Sequence, residues 1–197
     1  MDARKTSGYS LDSAVNTHSS DGEASSLDEA ADWRIRFTER VFTQIPSFVA
    51  ARALTLALRA NGVKIGPATV FWGMPHLVGP GDVCSRLSIG EYCGFNARCY
   101  FELDGEIRIR DHVAVGQDVM FLTRTYDTSD PARRGGKAGS APIEVGNGTW
   151  LGARCVIMPG VTIGPGSVIG ASVVVSKDVP ANMMVMGTRT LSLAKWR

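Results

Sequence analysis

Residues 123–131, TRTYDTSDP, place a guanidinium at Arg124, a phenol at Tyr126 and carboxylates at Asp127 and Asp130 within one short polar segment. A phenol has a reference pKa of about 10, so only about one in a thousand is ionised at pH 7. A phenolate base would therefore cost roughly 4 kcal/mol unless a neighbour such as Arg124 lowered that pKa. The segment predicts hydrogen bonding or proton transfer by Tyr126, with the two carboxylates as other proton acceptors.

This segment interrupts a repeat in which a large apolar residue recurs every six positions. A period of six fits neither the helix nor simple strand alternation, but it fits a short strand and a tight turn repeated along the chain. Stacked units of this kind bury the apolar positions in a parallel β-helix. The predicted inward positions are Ile65, Phe71, Leu77, Val83, Ile89, Phe95, Phe101 and Ile107, then Ile109, Val115 and Phe121, then Val145, Leu151, Ile157, Ile163, Ile169 and Val175.

Small residues complete the repeat. A glycine often follows the apolar position directly, as at Gly116 and Gly152, and we expect these glycines to supply turn conformations. Three cysteines lie in the inward small-residue position, where a thiol packs as a small hydrophobe. Cys84 lies in a turn position and is expected to be more exposed. The three inward cysteines are Cys93, Cys99 and Cys155.

The composition changes along the chain and divides it into four parts. Residues 1–26 are polar and predict a disordered tail. Residues 27–62 predict one or two short α-helices, with an apolar helical period that includes Trp33, Phe37 and Val41. Residues 63–187 form the predicted mostly β unit, from which a polar loop over residues 122–144 protrudes, and residues 188–197 form a C-terminal tail.

Charge and residue content exclude several classes of function. Residues 1–30 carry six acidic and two basic side chains, a net charge of −4. The whole chain has a net charge of +2, so the remaining residues carry +6. This moderate positive charge suits an anionic small ligand and is too weak to predict nucleic-acid binding. The scattered histidines and cysteines predict no metal site, and no segment predicts a secretory leader or an integral membrane span. We therefore expect a cytoplasmic protein.

Residues 143–188, which include TWLGARCVIMPGVTIGPGSVIGASVVVSKDVP, resemble the C-terminal part of the hexapeptide-repeat acyltransferases. The resemblance extends over about residues 62–188 and is strongest to the galactoside, maltose, nodulation and colanic-acid O-acetyltransferase branch. It implies a left-handed parallel β-helix, a homotrimer, and transfer of an acyl group from acetyl-CoA or another acyl-CoA to a small-molecule acceptor. In this family the acyl-CoA lies in the groove between adjacent subunits.

The resemblance assigns cofactor-binding roles to four residues. Ala153 and Ala171 align with backbone contacts to the pantetheine arm. Ser176 and Lys177, in VVSKDVP, align with residues near the nucleotide phosphates, where a cation is apt. The closing segment of the family departs here, because its proline is absent after Gly187.

The resemblance also assigns acceptor contacts within GFNARCYFELDGEI. Asn96 and Asp104 align with an asparagine and an acidic residue that contact the acceptor in sugar acetyltransferases, although either residue could simply end a turn. Arg124, in the polar loop, is a third substrate-binding candidate.

The main departure from the family lies at Tyr126, which aligns with the general-base histidine. Tyr126 and Asp127 are the catalytic candidates, and three interpretations stay open. The chain could be an acyltransferase whose acceptor or another carboxylate removes the need for a histidine. It could use Tyr126 as an acid, hydrogen-bond donor or stacking surface in changed chemistry. It could also be a catalytically silent trimer that binds a ligand or partner, or serves biosynthesis without acyl transfer.

Overall fold

The computed structural model describes residues 26–44, 50–187 and 193–195, with side chains described for 33–44 and 50–187. The predicted N-terminal tail therefore lies outside the described residues, apart from its last position. Of the predicted C-terminal tail, the structure describes a short strand over Leu193–Lys195, which pairs antiparallel with Met183–Val185.

Two helices precede the β region, as the sequence predicted. Helix α1 spans Ser26–Phe42 and helix α2 spans Ala51–Ala60. Helix α2 ends at Asn61, and Gly62 follows with φ +101°, a left-handed conformation that favours glycine. In the described part of the chain, neither helix has the length and apolar character needed to cross a membrane.

The helices close the N-terminal end of the β region through one apolar face. Leu54 and Leu58 of α2 are buried in the core, and Ile35 of α1 joins them. The row of α1 that contains Trp33 and Phe37 faces outward, with about 60% of each side chain exposed. The predicted helical period is therefore correct, but the neighbouring row packs inward.

The strands form a left-handed parallel β-helix, as predicted, because each strand pairs in register with its counterpart one coil later. Three strands make one coil, and five full coils are followed by a partial sixth. The first sheet contains β1 (Lys64–Ile65), β4 (Leu87–Ile89), β7 (Ile107–Ile109), β12 (Ile143–Val145) and β15 (Thr162–Ile163). The second contains β2 (Val70–Phe71), β5 (Gly94–Phe95), β8 (Ala114–Val115), β13 (Trp150–Leu151), β16 (Val168–Ile169), β18 (Met183–Val185) and β19 (Leu193–Lys195). The third contains β3 (His76–Val78), β6 (Tyr100–Glu102), β9 (Met120–Leu122), β14 (Val156–Ile157) and β17 (Val174–Val175).

The interior of the prism is a stack of the predicted apolar residues. Phe71 stacks on Phe95 with ring centroids 4.4 Å apart, and Phe101 stacks on Phe121 at 4.9 Å. These four side chains are completely buried. Burial of a side chain of this size is worth about 1.5–3 kcal/mol, so each additional coil contributes to the stability of its neighbours.

The glycines after the inward positions have a different role from the one predicted. A Cβ on Gly116 would lie 2.6 Å from the Ala153 nitrogen, and a Cβ on Gly152 would lie 2.6 Å from the Ala171 nitrogen. These glycines therefore permit close approach of successive coils. The left-handed turn conformation falls two residues later, often on residues with side chains, as at Asp118 with φ 59° and Arg154 with φ 61°.

The predicted ladder is wrong at Val83. The chain advances twelve positions from Leu77 to the next inward residue, Ile89, and Val83 lies in the added segment beside a short 3-10 helix over Cys84–Arg86. Val83 and Cys84 are nevertheless buried, so the expected exposure of Cys84 is also wrong. The apolar character of the added segment comes from packing against the first coils rather than from a strand.

All the added residues lie at one edge of the prism, where the third sheet turns into the first. We name this the loop edge, and the edge between the second and third sheets the alanine edge. At the loop edge the spacing between inward residues is 12, 8, 24, 6 and 4 positions, whereas at the alanine edge it is always six. The loop edge comprises the connections 79–86, 103–106, 123–142, 158–161 and 176–178, and the alanine edge comprises 72–75, 96–99, 116–119, 152–155 and 170–173.

Candidate functional site

The three enlarged connections of the loop edge are stacked on one another by hydrogen bonds. Arg86 of the first donates through Nε to the Leu103 carbonyl of the second at 2.6 Å. Gly105 of the second donates its N–H to Thr123 Oγ1 of the third at 2.9 Å. Thr123 is completely buried, so this contact fixes the start of the long connection against the coil below it.

The long connection contains a hairpin that the sequence did not predict. Strand β10 (Arg124–Tyr126) pairs antiparallel with β11 (Ala138–Ser140), and Tyr126 lies opposite Ala138. The prediction of an interruption after Phe121 is correct, because the first sheet resumes only at Ile143. The hairpin gives Arg124 and Tyr126 a fixed spacing on the same face of one strand.

Arg124 and Asp104 form an ion pair between two of the stacked connections. Arg124 donates to Asp104 Oδ1 through Nε at 2.9 Å and Nη2 at 2.7 Å, and its backbone N–H donates to Glu102 Oε2 at 3.0 Å. The hydrogen bond to Asp104 raises the pKa of Arg124 above its ordinary value. Asp104 Oδ2 is buried and has no hydrogen-bond partner, the one such side-chain atom in the described part of the chain. A buried carboxylate oxygen without a donor favours a ligand that brings one.

Tyr126 and Asp127 lie at the end of β10 and face different partners. The Tyr126 oxygen accepts a hydrogen bond from Arg124 Nη1 at 3.4 Å, and 45% of this residue is exposed. Asp127 Oδ1 accepts the Ser129 backbone N–H at 2.9 Å, and this bond holds the pKa of Asp127 below its usual range. Asp130 Oδ1 likewise accepts the Ala132 N–H at 2.8 Å. Each carboxylate therefore stabilises a turn of the loop.

Asn96, Ala153 and Ala171 lie on the alanine edge. Each follows an inward residue of the second sheet, and the close approach at Gly152 brings the two alanines into one column. The Ala153 carbonyl accepts the Ser172 N–H at 2.9 Å. A backbone contact from Ala153 to a ligand would therefore use its N–H or the second lone pair of its oxygen.

Ser176 and Lys177 follow β17 and are exposed on the loop edge, two coils beyond the hairpin. One chain thus places Asp104, Arg124, Tyr126, Asp127, Ser176 and Lys177 on the loop edge, and Asn96, Ala153 and Ala171 on the alanine edge. The outer face of the third sheet separates the two groups. Its outward column consists of His76, Tyr100, Met120, Val156 and Val174.

Sequence reasoning missed Glu102 and Thr123, which hold the hairpin in place. Both lie at or just beyond the end of a third-sheet strand, and both carry an oxygen where the repeat shows no requirement for one. Their role depends on a partner about twenty residues away in the adjacent coil, so only the coil register identifies it.

The two described histidines each contact another side chain, and the inward cysteines are buried. His112 stacks on Tyr92 at the edge between the first and second sheets, with ring centroids 5.1 Å apart, and His76 pairs with Glu39 at 2.8 Å. Burial raises the pKa of the Cys99 and Cys155 thiols to about 12, which keeps them protonated. Within residues 26–44 and 50–187, no group of three or more metal-ligating side chains occurs.

Comparisons with known proteins identify the same repeat. The model of the bacterial transferase hexapeptide (six repeats) matches residues 142–177. The galactoside O-acetyltransferase of Escherichia coli (strain K12) is 37% identical over 105 residues, which are 52% of this chain and 51% of that protein. The chain thus spans about half the length of the curated relatives it matches.

Two solved structures share the fold over most of the chain. A hexapeptide-repeat acetyltransferase of Vibrio cholerae, complexed with acetyl-CoA, has a TM-score of 0.71 and 27% identity, covering 87% of this chain and 91% of that one. A galactoside acetyltransferase in complex with coenzyme A has a TM-score of 0.68 and 26% identity, covering 87% and 84%. The predicted resemblance is confirmed: residues 142–177 match the hexapeptide-repeat model, and the chain shares its left-handed β-helix with hexapeptide-repeat acetyltransferases.

Proposed function

We propose that this protein is an acyltransferase that moves an acyl group from acetyl-CoA, or another acyl-CoA, to a hydroxyl or amine of a sugar or other small metabolite. The observation that carries the proposal is the buried, unpartnered Asp104 Oδ2 beside Arg124 and Tyr126. A hydroxyl or amine of an acceptor would satisfy this oxygen, and an analogue without that donor would leave it unpaired. Two structural relatives that hold acetyl-CoA or coenzyme A support the donor.

The division of the candidate residues between two edges supports a site built by two copies of the chain. If the alanine edge of one copy meets the loop edge of the next, Asn96, Ala153 and Ala171 come to lie opposite the loop-edge residues. This contact uses different surfaces on its two sides, so it forms a ring if the rotation closes and a filament if it does not. A homotrimer of parallel prisms closes it with three identical sites.

Within such a site the chain supplies binding, orientation and charge. Lys177 offers a cation, and Ser176 a polar group, for the phosphates of the donor. Backbone groups of Ala153 and Ala171 would hold the pantetheine arm, and Asn96 and Asp104 would orient the acceptor. An amine that arrives unprotonated needs mainly this positioning, which lowers the barrier without a histidine. Because acyl-CoA is a cytoplasmic metabolite, the proposal includes a cytoplasmic location.

The replacement of the expected histidine by Tyr126 favours one second candidate function. In it, the trimer binds the same ligands without turnover, as a binding module or a repurposed biosynthetic protein. A general base is typically worth 10²–10⁴-fold in rate, so its absence is a specific reason to test this alternative.

The deciding experiment mixes the protein with acetyl-CoA and a panel of amines and hydroxylated sugars and measures the release of free thiol. The acyltransferase proposal expects acceptor-dependent thiol release. Lys177→Ala should weaken acetyl-CoA binding about tenfold in calorimetry through loss of a charge-assisted contact, whereas Lys137→Ala, in the hairpin loop, should leave it unchanged. Calorimetric binding of coenzyme A without thiol release from any acceptor would instead support the binding module.

Mixing of two impaired variants tests the shared site. Asn96→Ala disables the alanine edge and Tyr126→Phe disables the loop edge, so each variant alone should be weak. Equal mixing and reassembly should restore wild-type geometry at about a quarter of the interfaces, because each intact site needs one unmodified edge from each partner. Absence of recovery in verified mixed trimers would place each site within a single chain.

A further inference from the structure

The contact between Arg124 and Tyr126 determines whether the Tyr126 phenol donates or accepts the hydrogen bond between them. A guanidinium carries five N–H donors and has no acceptor, so in the contact between Arg124 Nη1 and the Tyr126 oxygen the phenol must accept. Its own hydrogen is therefore left for a different acceptor. Because 45% of the residue is exposed, a ligand can reach that donor.

Two acidic residues hold Arg124 in place. Its Nε and Nη2 both bind Asp104 Oδ1, and the Arg124 backbone N–H binds Glu102. The hairpin pairing of Tyr126 with Ala138 fixes the backbone of Tyr126, and the Arg124 contact holds its hydroxyl. The phenol and the guanidinium thus keep their relative placement without a ligand, as a preorganised donor requires.

The charged groups near Tyr126 lie on both strands of the hairpin and on the adjacent connection. Arg124 faces Tyr126, but its positive charge is already paired with Asp104, and Asp127 follows directly in the chain. Lys137 precedes β11 on the opposite strand. Arg124 therefore already has a carboxylate partner at 2.7 Å, and its contact with the Tyr126 oxygen is additional to that ion pair.

We infer that Tyr126 is a hydrogen-bond donor to the reacting acyl group, and that Arg124 is its positioning residue. The inference rests on the proposed acyl transfer. The nucleophilic nitrogen or oxygen of the acceptor attacks the thioester carbonyl carbon, and the carbonyl π electrons move to its oxygen. The Tyr126 hydroxyl donates to that oxygen. The intermediate then collapses, the C–S bond breaks, and the coenzyme A thiolate leaves and gains the proton that the acceptor loses.

This role differs from the general base that the aligned histidine would supply, and kinetics separate the two. For a donor, Tyr126→Phe lowers kcat about 10²–10³-fold, the usual loss for one such donor, and leaves KM for acetyl-CoA within about twofold. The wild-type rate then stays level or falls as phenolate forms at high pH. A base role predicts the opposite: kcat rises with pH, and the rise disappears in Tyr126→Phe. That result would overturn the inference.

Arg124 is tested in parallel with an arginine of the same loop. Arg124→Gln should lower kcat about tenfold, and Arg124→Lys should restore only part of it because an ammonium cannot hold Asp104 and the phenol together. Arg134 donates to the Thr128 carbonyl at 2.5 Å and does not contact Tyr126, so Arg134→Gln is the matched control. Equal losses in the two glutamine variants would contradict a positioning role.

A spectroscopic measurement decides the geometry even if no acceptor supports turnover. The Raman doublet of tyrosine reports whether the phenol oxygen donates or accepts, and the wild-type minus Tyr126→Phe spectrum isolates this residue. An accepting phenol that loses this signature in Arg124→Gln, and changes when acetyl-CoA but not coenzyme A is added, supports the inference independently of thiol release. A doublet unaffected by Arg124→Gln would overturn it. Absence of thiol release with the accepting signature intact would instead contradict only the proposed acyl transfer.

Discussion

The alanine edge and the loop edge solve the same problem, the connection of stacked coils, by different means. At the alanine edge, backbone packs on backbone through Gly116 and Gly152, and the turns repeat with the same length. At the loop edge, side chains such as Thr123 and Arg124 join connections of unequal length. The difference shows that the regular edge carries stability in its backbone, while the irregular edge has side chains available for chemistry.

The largest effect is expected from a methyl group placed between two coils of the alanine edge. A Cβ on Gly152 would lie within 2.8 Å of three backbone atoms, which have no flexible end to move aside. Gly152→Ala should lower the free energy of unfolding by about 1–3 kcal/mol, or more if the coils cannot separate. Urea denaturation of the purified protein measures this change.

Gly135 supplies the matched control on the loop edge. A Cβ there meets nothing within 4 Å, so Gly135→Ala should change the free energy of unfolding by no more than about 0.5 kcal/mol. Equal stability of the two variants would show that the coils do not approach as closely as the geometry indicates.

A smaller effect is expected from a hydroxyl removed at the loop edge. Thr123→Val leaves the Gly105 N–H without its acceptor, which should cost about 1–3 kcal/mol and displace the adjacent Asp104. In a regular coil, Thr149 donates to the Gly146 carbonyl at 2.8 Å, and an unpaired carbonyl is better tolerated than an unpaired N–H. Thr149→Val should therefore cost less, and it should spare thiol release. A greater loss of stability or turnover in Thr149→Val would reverse the comparison.

The sequence predicts the regular coils well and the irregular loop edge poorly. The apolar period identified the coils, because residues such as Phe95 and Ile157 pair with their equivalents in the two adjacent coils. It could not identify the added segment around Val83, since that segment is apolar for a different reason. Nor could it distinguish a glycine required for close approach from one required for a turn.

The candidate site shows more clearly what could not be predicted from the sequence. Sequence reasoning selected Asp104, Arg124 and Tyr126 separately, but not the contacts that join them. Those contacts depend on which residues of two unequal connections become neighbours, and a hairpin of unpredicted register decides that. The residue types were therefore predictable, while their arrangement required the structure.

The smallest effect concerns charge on the alanine edge. Arg98 donates to Asp118 Oδ1 at 2.7 Å, and this hydrogen bond lowers the pKa of Asp118 below its ordinary value. A lowered folded-state pKa means that the contribution to stability is present above the unfolded value of about 3.9 and is lost as pH falls through the folded value. Asp118→Asn should therefore slightly reduce the acid sensitivity of Tm below about pH 4.

Thermal unfolding measured from pH 6 to pH 3 provides the check. Asp130→Asn is the control. Among the contacts described, the Asp130 carboxylate accepts only the Ala132 N–H, so this substitution should change the loss of Tm at low pH less. A steeper loss of Tm in Asp118→Asn than in the wild type would contradict the sign of the effect.

Three connections of different length already protrude from the loop edge, and the strands that follow them, β4, β7 and β12, still pair in register. The loop edge therefore accepts inserted segments without a change in the β-helix. A segment grafted between Leu122 and Ile143 from another protein of this architecture should keep the underlying scaffold, and with it any donor groove, while exchanging the chemistry offered to the acceptor. Proteins of this architecture can therefore acquire different acceptor chemistry through sequence changes in this one connection.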